Sequence, residues 1–271
     1  MWSFVIELDE DMSRYQPPLT LTTKILALVG DISEQIGQLS VGDDNRQTPQ
    51  LRRGNRIRTI QASLAIENNT LSIEQVTAVL DGKRVLGLPR EIQEVRNAFA
   101  AYEAMPHWVP SDRADLLQAH ELQMFGLIDD AGRYRQSGIG IYRGEQLVHM
   151  APPASRVTHL VDDLLNWLAV SDWHPLIASC VFHYEFEFIH PFADGNGRMG
   201  RLWQTLILSQ WRPVLAYLPV EAVVRQQQDA YYAALSAADQ QAEATPFVEF
   251  MLQALSLALA EAAQSGRPAT P

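Results

Sequence analysis

The sequence predicts an all-α, mainly helical fold carrying one small β-hairpin. Apolar residues recur at helical spacing in segment after segment, and only one stretch combines β-type residues with a turn. Residues 173–188 also fit a helix that is apolar on almost every side, which is the pattern of a buried central helix. With 47% apolar and 20% charged residues over 271 positions the chain has ordinary globular composition. It is long enough to bury about three quarters of its unfolded surface.

From the N-terminus, Pro17 and Pro18 precede Leu19, Leu21, Ile25, Leu26, Val29, Ile32 and Ile36, which place an amphipathic helix over 18–40. The stretch 41–54, rich in Gly, Asp, Asn and Arg, reads as a loop before a second helix over 55–68. Ser72 and Gln75 form a capping box for a short helix ending at Leu80. Pro89 and Glu91 open another helix, which carries Ile92, Val95, Phe99 and Tyr102 to Glu103. Ile139–His149 is the hairpin candidate, with an Arg143-Gly144 turn. Helical spacing returns after Pro153 with Val157, Leu160, Val161, Leu164, Leu165 and Leu168, then over Leu202–Trp211, Val220–Ala234 and Phe247–Leu259. The chain divides into an N-terminal helical regulatory region (1–90), a core domain (91–262) and a flexible tail (263–271).

A net charge of −11 argues against coating nucleic acid, which needs a basic face. Cys180 is the sole cysteine, so no disulfide forms within the chain and a multi-cysteine zinc site is absent. The opening residues lack the basic start and apolar block of a secretory signal, and no apolar stretch is expected to span a bilayer. These features predict a cytoplasmic protein without a membrane or nucleic-acid partner.

The run from His190 to Arg201 carries the chemistry. Read as a strand followed by Gly195, Gly197 and Gly200, it matches the Gly-x-Gly-x-x-Gly dinucleotide pattern, with Glu221 as a ribose ligand. That alternative, an NAD-dependent oxidoreductase, requires strands and helices in alternation, whereas helix follows helix here. Asp194 would also repel a pyrophosphate unless a metal intervened. The other reading is a helix ending near Ile189, an anion-binding loop and a second helix from about Arg198. Amides of Gly195, Asn196 and Gly197 would then cradle phosphate, with Arg198 and Arg201 one turn apart behind them. Asp194 would hold Mg²⁺, and His190 would deprotonate an attacking hydroxyl. Glu187-x-x-His190 also resembles half of a di-iron helix motif, but the chain lacks the second copy; His183 reads as a core histidine.

His190-Pro191-Phe192-Ala193-Asp194-Gly195-Asn196-Gly197-Arg198-Met199-Gly200-Arg201 matches every fixed position of the signature His-x-Phe-x-(Asp/Glu)-Gly-Asn-Gly-Arg-x-x-Arg, so the chain closely resembles the Fic family. The resemblance implies a Fic fold and a protein adenylyltransferase, which moves AMP from MgATP to a Ser, Thr or Tyr hydroxyl of a target protein. It makes His190 the general base and Asp194 the Mg²⁺ ligand. Gly195, Asn196, Gly197 and Arg198 would hold the α- and β-phosphates, Arg201 the γ-phosphate, and Phe192 would pack beneath the loop. The hairpin resembles the flap on which a target docks, and a homo-oligomer would bring a second copy's surface near it. Tyr231 and Tyr232 resemble a tyrosine pair near the adenine, with Asp239 where relatives often carry Asn. Upstream, Ser63-Leu64-Ala65-Ile66-Glu67-Asn68 resembles the inhibitory motif of the class with an N-terminal inhibitory helix. By that resemblance Glu67 competes with the ATP γ-phosphate for Arg201, and in some relatives the same glutamate supports removal of AMP. A nucleotide-binding regulator without transferase activity is the other function this motif would serve.

Overall fold

The computed structural model describes residues 15–41, 48–143 and 146–265. The described chain is helical apart from one two-stranded sheet. At its centre lies α7 (Pro175–Ile189), with Pro175 in its first turn and the His174 ring accepting the Leu176 amide at 3.2 Å. Cys180, Val181, Phe182, His183 and Phe186 are all at 0% exposure, so the residues that alternated like a strand belong to a helix buried on nearly every side. Alternation with period two cannot distinguish the two states when both faces are apolar.

Around α7 pack α6 (Ala154–Val170), α8 (Asn196–Trp211) and α11 (Thr245–Ser265). The N-terminal helix α1 (Thr23–Val41) lies on α11, and α2 (Pro49–Ile66) lies on α9 (Val220–Gln226) and touches α8. α3 (Ile73–Leu80) and α4 (Pro89–Ala104) follow, then α5 (Arg113–Met124), which docks on α4. One hydrophobic cluster runs from Ile25 in α1 to Leu259 in α11, so the N-terminal helices and the rest share a core.

Several boundaries differ from the sequence reading for local reasons. Helix α1 begins at Thr23 because the Thr22 hydroxyl caps the Ile25 amide at 3.1 Å. Residues 49–54, expected as loop, are the first turns of α2: Thr48 caps Leu51 at 3.2 Å and Pro49 supplies a preset φ. The rest of that expected loop, 42–47, lies outside the described residues, as does Gly144 of the expected hairpin turn. The stretch Val220–Ala234 is two helices, α9 and α10 (Gln228–Gln241), broken at Gln227. Helix α5 has too little apolar periodicity to show in the sequence, although Asp112 caps the Asp115 amide at 3.0 Å. The capping box at Ser72 forms as expected. Residues 263–265 of the expected tail continue α11, and 266–271 are outside the described residues.

The expectation that no segment could span a bilayer is corrected by α11. Its Thr245–Gln264 stretch has mean hydropathy 1.3 over 20 residues, which suffices by length and composition. Phe247, Val248, Leu252 and Leu255 are buried within the protein, so the apolar side serves the core. Replacing the fully buried Phe186 with alanine is expected to lower unfolding stability by about 3–5 kcal/mol, read as an earlier urea midpoint with unchanged slope.

Candidate active site

Two helix ends face each other across six residues. His190 terminates α7 in the left-handed region (φ 49°), its amide still bonded to the Phe186 carbonyl at 2.9 Å, and Pro191 blocks further helix. Gly195 starts α8 at φ 86°, where a side-chain carbon would stand 2.7 Å from Met124 Sδ. Between them, Asn196 Oδ1 accepts the Phe192 amide at 2.9 Å and its Nδ2 donates to the Phe192 carbonyl at 2.8 Å. The Asn196 side chain therefore braces the loop and leaves only its backbone amide for a ligand. Phe192 is fully buried and stacks on His120 at 3.6 Å, consistent with the packing role expected of it.

Residues remote in sequence hold the loop from outside. Arg135 donates to four carbonyls, those of His190 (2.8 Å), Ser137 (2.8 Å), Pro152 (2.6 Å) and Ile189 (3.3 Å). His120 Nδ1 accepts the Gly132 amide at 2.9 Å, so Nε2 carries the proton and donates to the Asp194 carbonyl at 3.0 Å. Burial pushes the His120 ring down to about 4, which keeps that neutral tautomer across the neutral range. Neither residue was singled out in the sequence, because isolated polar residues in unremarkable segments carry no local pattern.

Backbone amides at the start of α8 lack helical acceptors, the Gly195 amide being held by Asp194 Oδ1 at 2.6 Å, and the helix presents its positive end there. Arg198 (4% exposed) reaches Asp194 Oδ1 at 3.1 Å and Glu94 Oε1 at 3.5 Å. Asp194 also accepts its neighbour's amide from Gly195 at 2.6 Å and pairs with Arg90 at 3.0 Å. Among the described residues no three His, Cys, Asp or Glu side chains form a metal cage. Asp194, its side chain 42% exposed beside the cradle, fits a Mg²⁺ ion that takes one carboxylate and fills its remaining positions with phosphate and water.

Arg201 (3% exposed) is a cation inside the protein, and α2 supplies its partners. Its Nε donates to Ser63 Oγ at 3.0 Å, and Nη2 donates to the Ser63 carbonyl at 3.1 Å and Glu67 Oε1 at 2.7 Å. Burial alone would lower the guanidinium pKa, but the Glu67 carboxylate reverses the sign and raises it. Glu67 is the C-cap of α2, and Asn68 follows in the left-handed region (φ 67°), a conformation that Asn and Gly tolerate best. That turn sends the Glu67 carboxylate over Gly197, where a side-chain carbon would collide with it and lie 3.0 Å from Arg201 Nη1. The carboxylate thus lies between Gly197 and Arg201 at the start of α8. Gln228 at the start of α10 holds this helix end through the Ile66 carbonyl at 3.0 Å.

His190 Nδ1 lies 3.3 Å from the Glu187 carbonyl, and burial lowers the ring to about 4, so the imidazole is neutral at pH 7. Tyr231 is buried, its hydroxyl 3.2 Å from His183 Nε2, while Tyr232 packs against its ring and is half-buried. His183 Nδ1 donates to Gln204 Oε1 at 2.7 Å, the satisfied core histidine expected.

The hairpin pairs β1 (Gly140–Arg143) with β2 (Gln146–Met150), with Ile141 opposite His149 and an irregularity after Ile141. His149 ties it to the site, Nε2 to the Phe188 carbonyl at 2.8 Å and Nδ1 to Asp239 Oδ2 at 3.0 Å. Two donated bonds require the imidazolium. Although burial opposes the charge, Asp239 and the Phe188 carbonyl raise the His149 pKa.

A helical core with this loop between two helix ends defines the class of protein, and comparison with known sequences and structures agrees. The sequence pattern of the Fic/DOC family matches residues 110–208. A solved Fic family protein from Desulfovibrio desulfuricans G20 is 67% identical, with TM-score 0.91 over 94% of this chain and 79% of that one. This chain belongs to the Fic family. Fic-1 of Caenorhabditis elegans shares the fold, at 23% identity and TM-score 0.69 over 89% of this chain and 71% of that one. Protein adenylyltransferase Fic of Aedes aegypti is 28% identical over 235 residues, which is 78% of this chain and 42% of that protein. Protein adenylyltransferase fic-1 of Caenorhabditis briggsae is 32% identical over 206 residues, 70% of this chain and 38% of that protein. The chain spans about two fifths of the length of these curated relatives.

The raised His149 pKa sets a sign for hairpin anchoring. The contribution is complete below the unfolded value of 6.5 and fades as pH rises through the higher folded value. Amide exchange in residues 140–143 and 146–150 should therefore quicken, after correction for intrinsic rates, as pH climbs from 6 to 9. His149→Gln should exchange fast throughout, with no such step.

Proposed function

We propose that this protein transfers AMP from MgATP to a Ser, Thr or Tyr hydroxyl of a target protein, in the cytoplasm, and that Glu67 restrains the reaction. The position of the Glu67 carboxylate carries this reading, because it pairs with Arg201 and lies against Gly197 where phosphate would enter. The names of its relatives as protein adenylyltransferases support the reaction class.

In this reading the amides of Gly195, Asn196 and Gly197, with Arg198, hold the α- and β-phosphates. Mg²⁺ at Asp194 would supply charge neutralisation on the phosphate chain. Neutral His190 accepts the hydroxyl proton at Nε2, since Nδ1 is turned to the Glu187 carbonyl. The hydroxyl oxygen bonds to the α-phosphorus as the bond to pyrophosphate breaks, and pyrophosphate leaves with that electron pair. Arg201 can bind a γ-phosphate only after Glu67 gives up the guanidinium, so restraint is competition for one cation. The hairpin offers backbone to an extended target segment, with loose sequence preference.

Incubation with MgATP and intact-mass spectrometry tests both parts. Glu67→Gly should gain AMP at least about tenfold faster than wild type, the gain expected from freeing one charge-assisted contact. His190→Ala in that background should lose about 10²–10⁴ in rate while keeping its helical circular dichroism. Absence of added AMP from every variant, with ATP still bound, would replace the transferase with a nucleotide-binding regulator.

A further inference from the structure

Glu187 is a largely enclosed acid, its side chain 13% exposed, that no step above uses. It sits one turn before His190 on α7, and its Oε1 is sealed from solvent without a hydrogen-bond partner. Oε2 lies 3.8 Å from His190 Nδ1, the same nitrogen that faces the Glu187 carbonyl at 3.3 Å. His183 is 3.9 Å from Oε1, yet both its ring nitrogens are already engaged by Gln204 and Tyr231. His190 differs in that its Nδ1 faces both the Glu187 carbonyl at 3.3 Å and, at ion-pair distance, Oε2 of the carboxylate at 3.8 Å, while Nε2 is left for a substrate. The neighbouring helix makes room for it: a side-chain carbon on Gly200 would come within 3.2 Å of Oε1 and 2.7 Å of the His183 ring. An unpaired carboxyl in a dry site costs stability, so its retention needs a compensating role.

We propose that Glu187 is a positioning residue for His190, holding the Nδ1 edge so that Nε2 faces the acceptor hydroxyl, and balancing the imidazolium formed when that proton arrives. The inference rests on His190 acting as the base in the proposed transfer. The proton taken from the hydroxyl stays on Nε2, the Nδ1 proton stays where it was, and the Glu187 carboxylate compensates the added charge without being protonated itself. Burial pushes Glu187 up to about 7, Arg201 and His149 pull it down, and Glu67 and Asp239 push it up. The carboxyl therefore titrates near neutral pH, and its charged form, already present before the transfer, is the one that balances the His190 cation. The groups facing it are His183 and His190 from α7, Arg201 from α8, Glu67 from the end of α2, His149 from β2, and Asp239 and Tyr231 from α10.

Nitrogen-detected NMR of the resting protein tests the pairing without any turnover. In wild type His190 should hold its proton on Nδ1 and titrate in two steps, coupled to Glu187. In Glu187→Gln it should titrate in one step at lower pH. Identical His190 titration in the two proteins would overturn the proposal. Kinetics in the Glu67→Gly background supply the second readout. Glu187→Gln should lower kcat about 10- to 100-fold, leave KM for MgATP within about twofold, and move the acid limb of the pH–rate profile. A changed KM with unchanged kcat would also overturn it. Glu187→Ala covers the case of a misfolded glutamine variant: added formate should restore part of its rate, and failure to do so in a folded protein counts against the role. Loss of AMP transfer from every variant, with the NMR coupling intact, would sink the transferase reading and leave the Glu187–His190 pairing standing.

Discussion

A guanidinium with 3% exposure is the constraint from which the rest of this structure follows. Arg201 cannot sit inside the protein uncompensated, because an unpaired buried charge costs several kcal/mol. Its partners come from one turn of α2, the Ser63 hydroxyl, the Ser63 carbonyl and the Glu67 carboxylate. The position of α2 is thereby tied to α8, and α2 in turn packs on α9, α3 and α4. Removal of Glu67 leaves Ser63 still satisfying two of the guanidinium's bonds while the charge itself asks for an anion. That distinction between keeping the fold and vacating the charge is what would let Glu67 act as the proposed restraint.

The His190–Arg201 motif was legible because its chemistry is contiguous: a helix end, a glycine turn and a helix start within twelve residues, each with its own residue preference. Glu67 was legible only through a short pattern resembling a family motif, and the structure supplies its physics, a C-cap carboxylate followed by a left-handed Asn68. Arg135 and His120 were not legible. Their work is to bond main-chain carbonyls of the loop from 55 and 74 positions away, and a carbonyl leaves no mark in sequence. The fold followed the same division. Apolar periodicity gave α6 and α11, whereas α5 and the first turns of α2 depended on caps and on burial by distant helices. The extent of α7 was ambiguous for the opposite reason, since a helix buried all round erases the periodicity that would identify it.

The resting site is a closed set of charges, and this bears on how a ligand would enter it. Arg198 is paired with Asp194 and Glu94, Arg90 with Asp194 and Glu94, and Arg201 with Glu67. On the proposed reading Asp194 would leave its arginines to hold Mg²⁺, and the arginines would leave their acids for the phosphates. The two exchanges are unequal. Arg90 and Asp194 have side chains 54% and 42% exposed, so water screens that contact and it opens at little cost. Arg201 is buried at 2% side-chain exposure while Glu67 is 36% exposed, so this pair is less screened than Arg90–Asp194 but is open to water on its acid side. On the proposed reading a metal–phosphate complex would draw Asp194 from Arg90 first, whereas Arg198, 5% exposed and also paired with Glu94, and Arg201 would change partners at greater cost. On that reading the γ-phosphate would reach Arg201 only when Glu67 gives way, so binding and reaction would be separated by one ion pair.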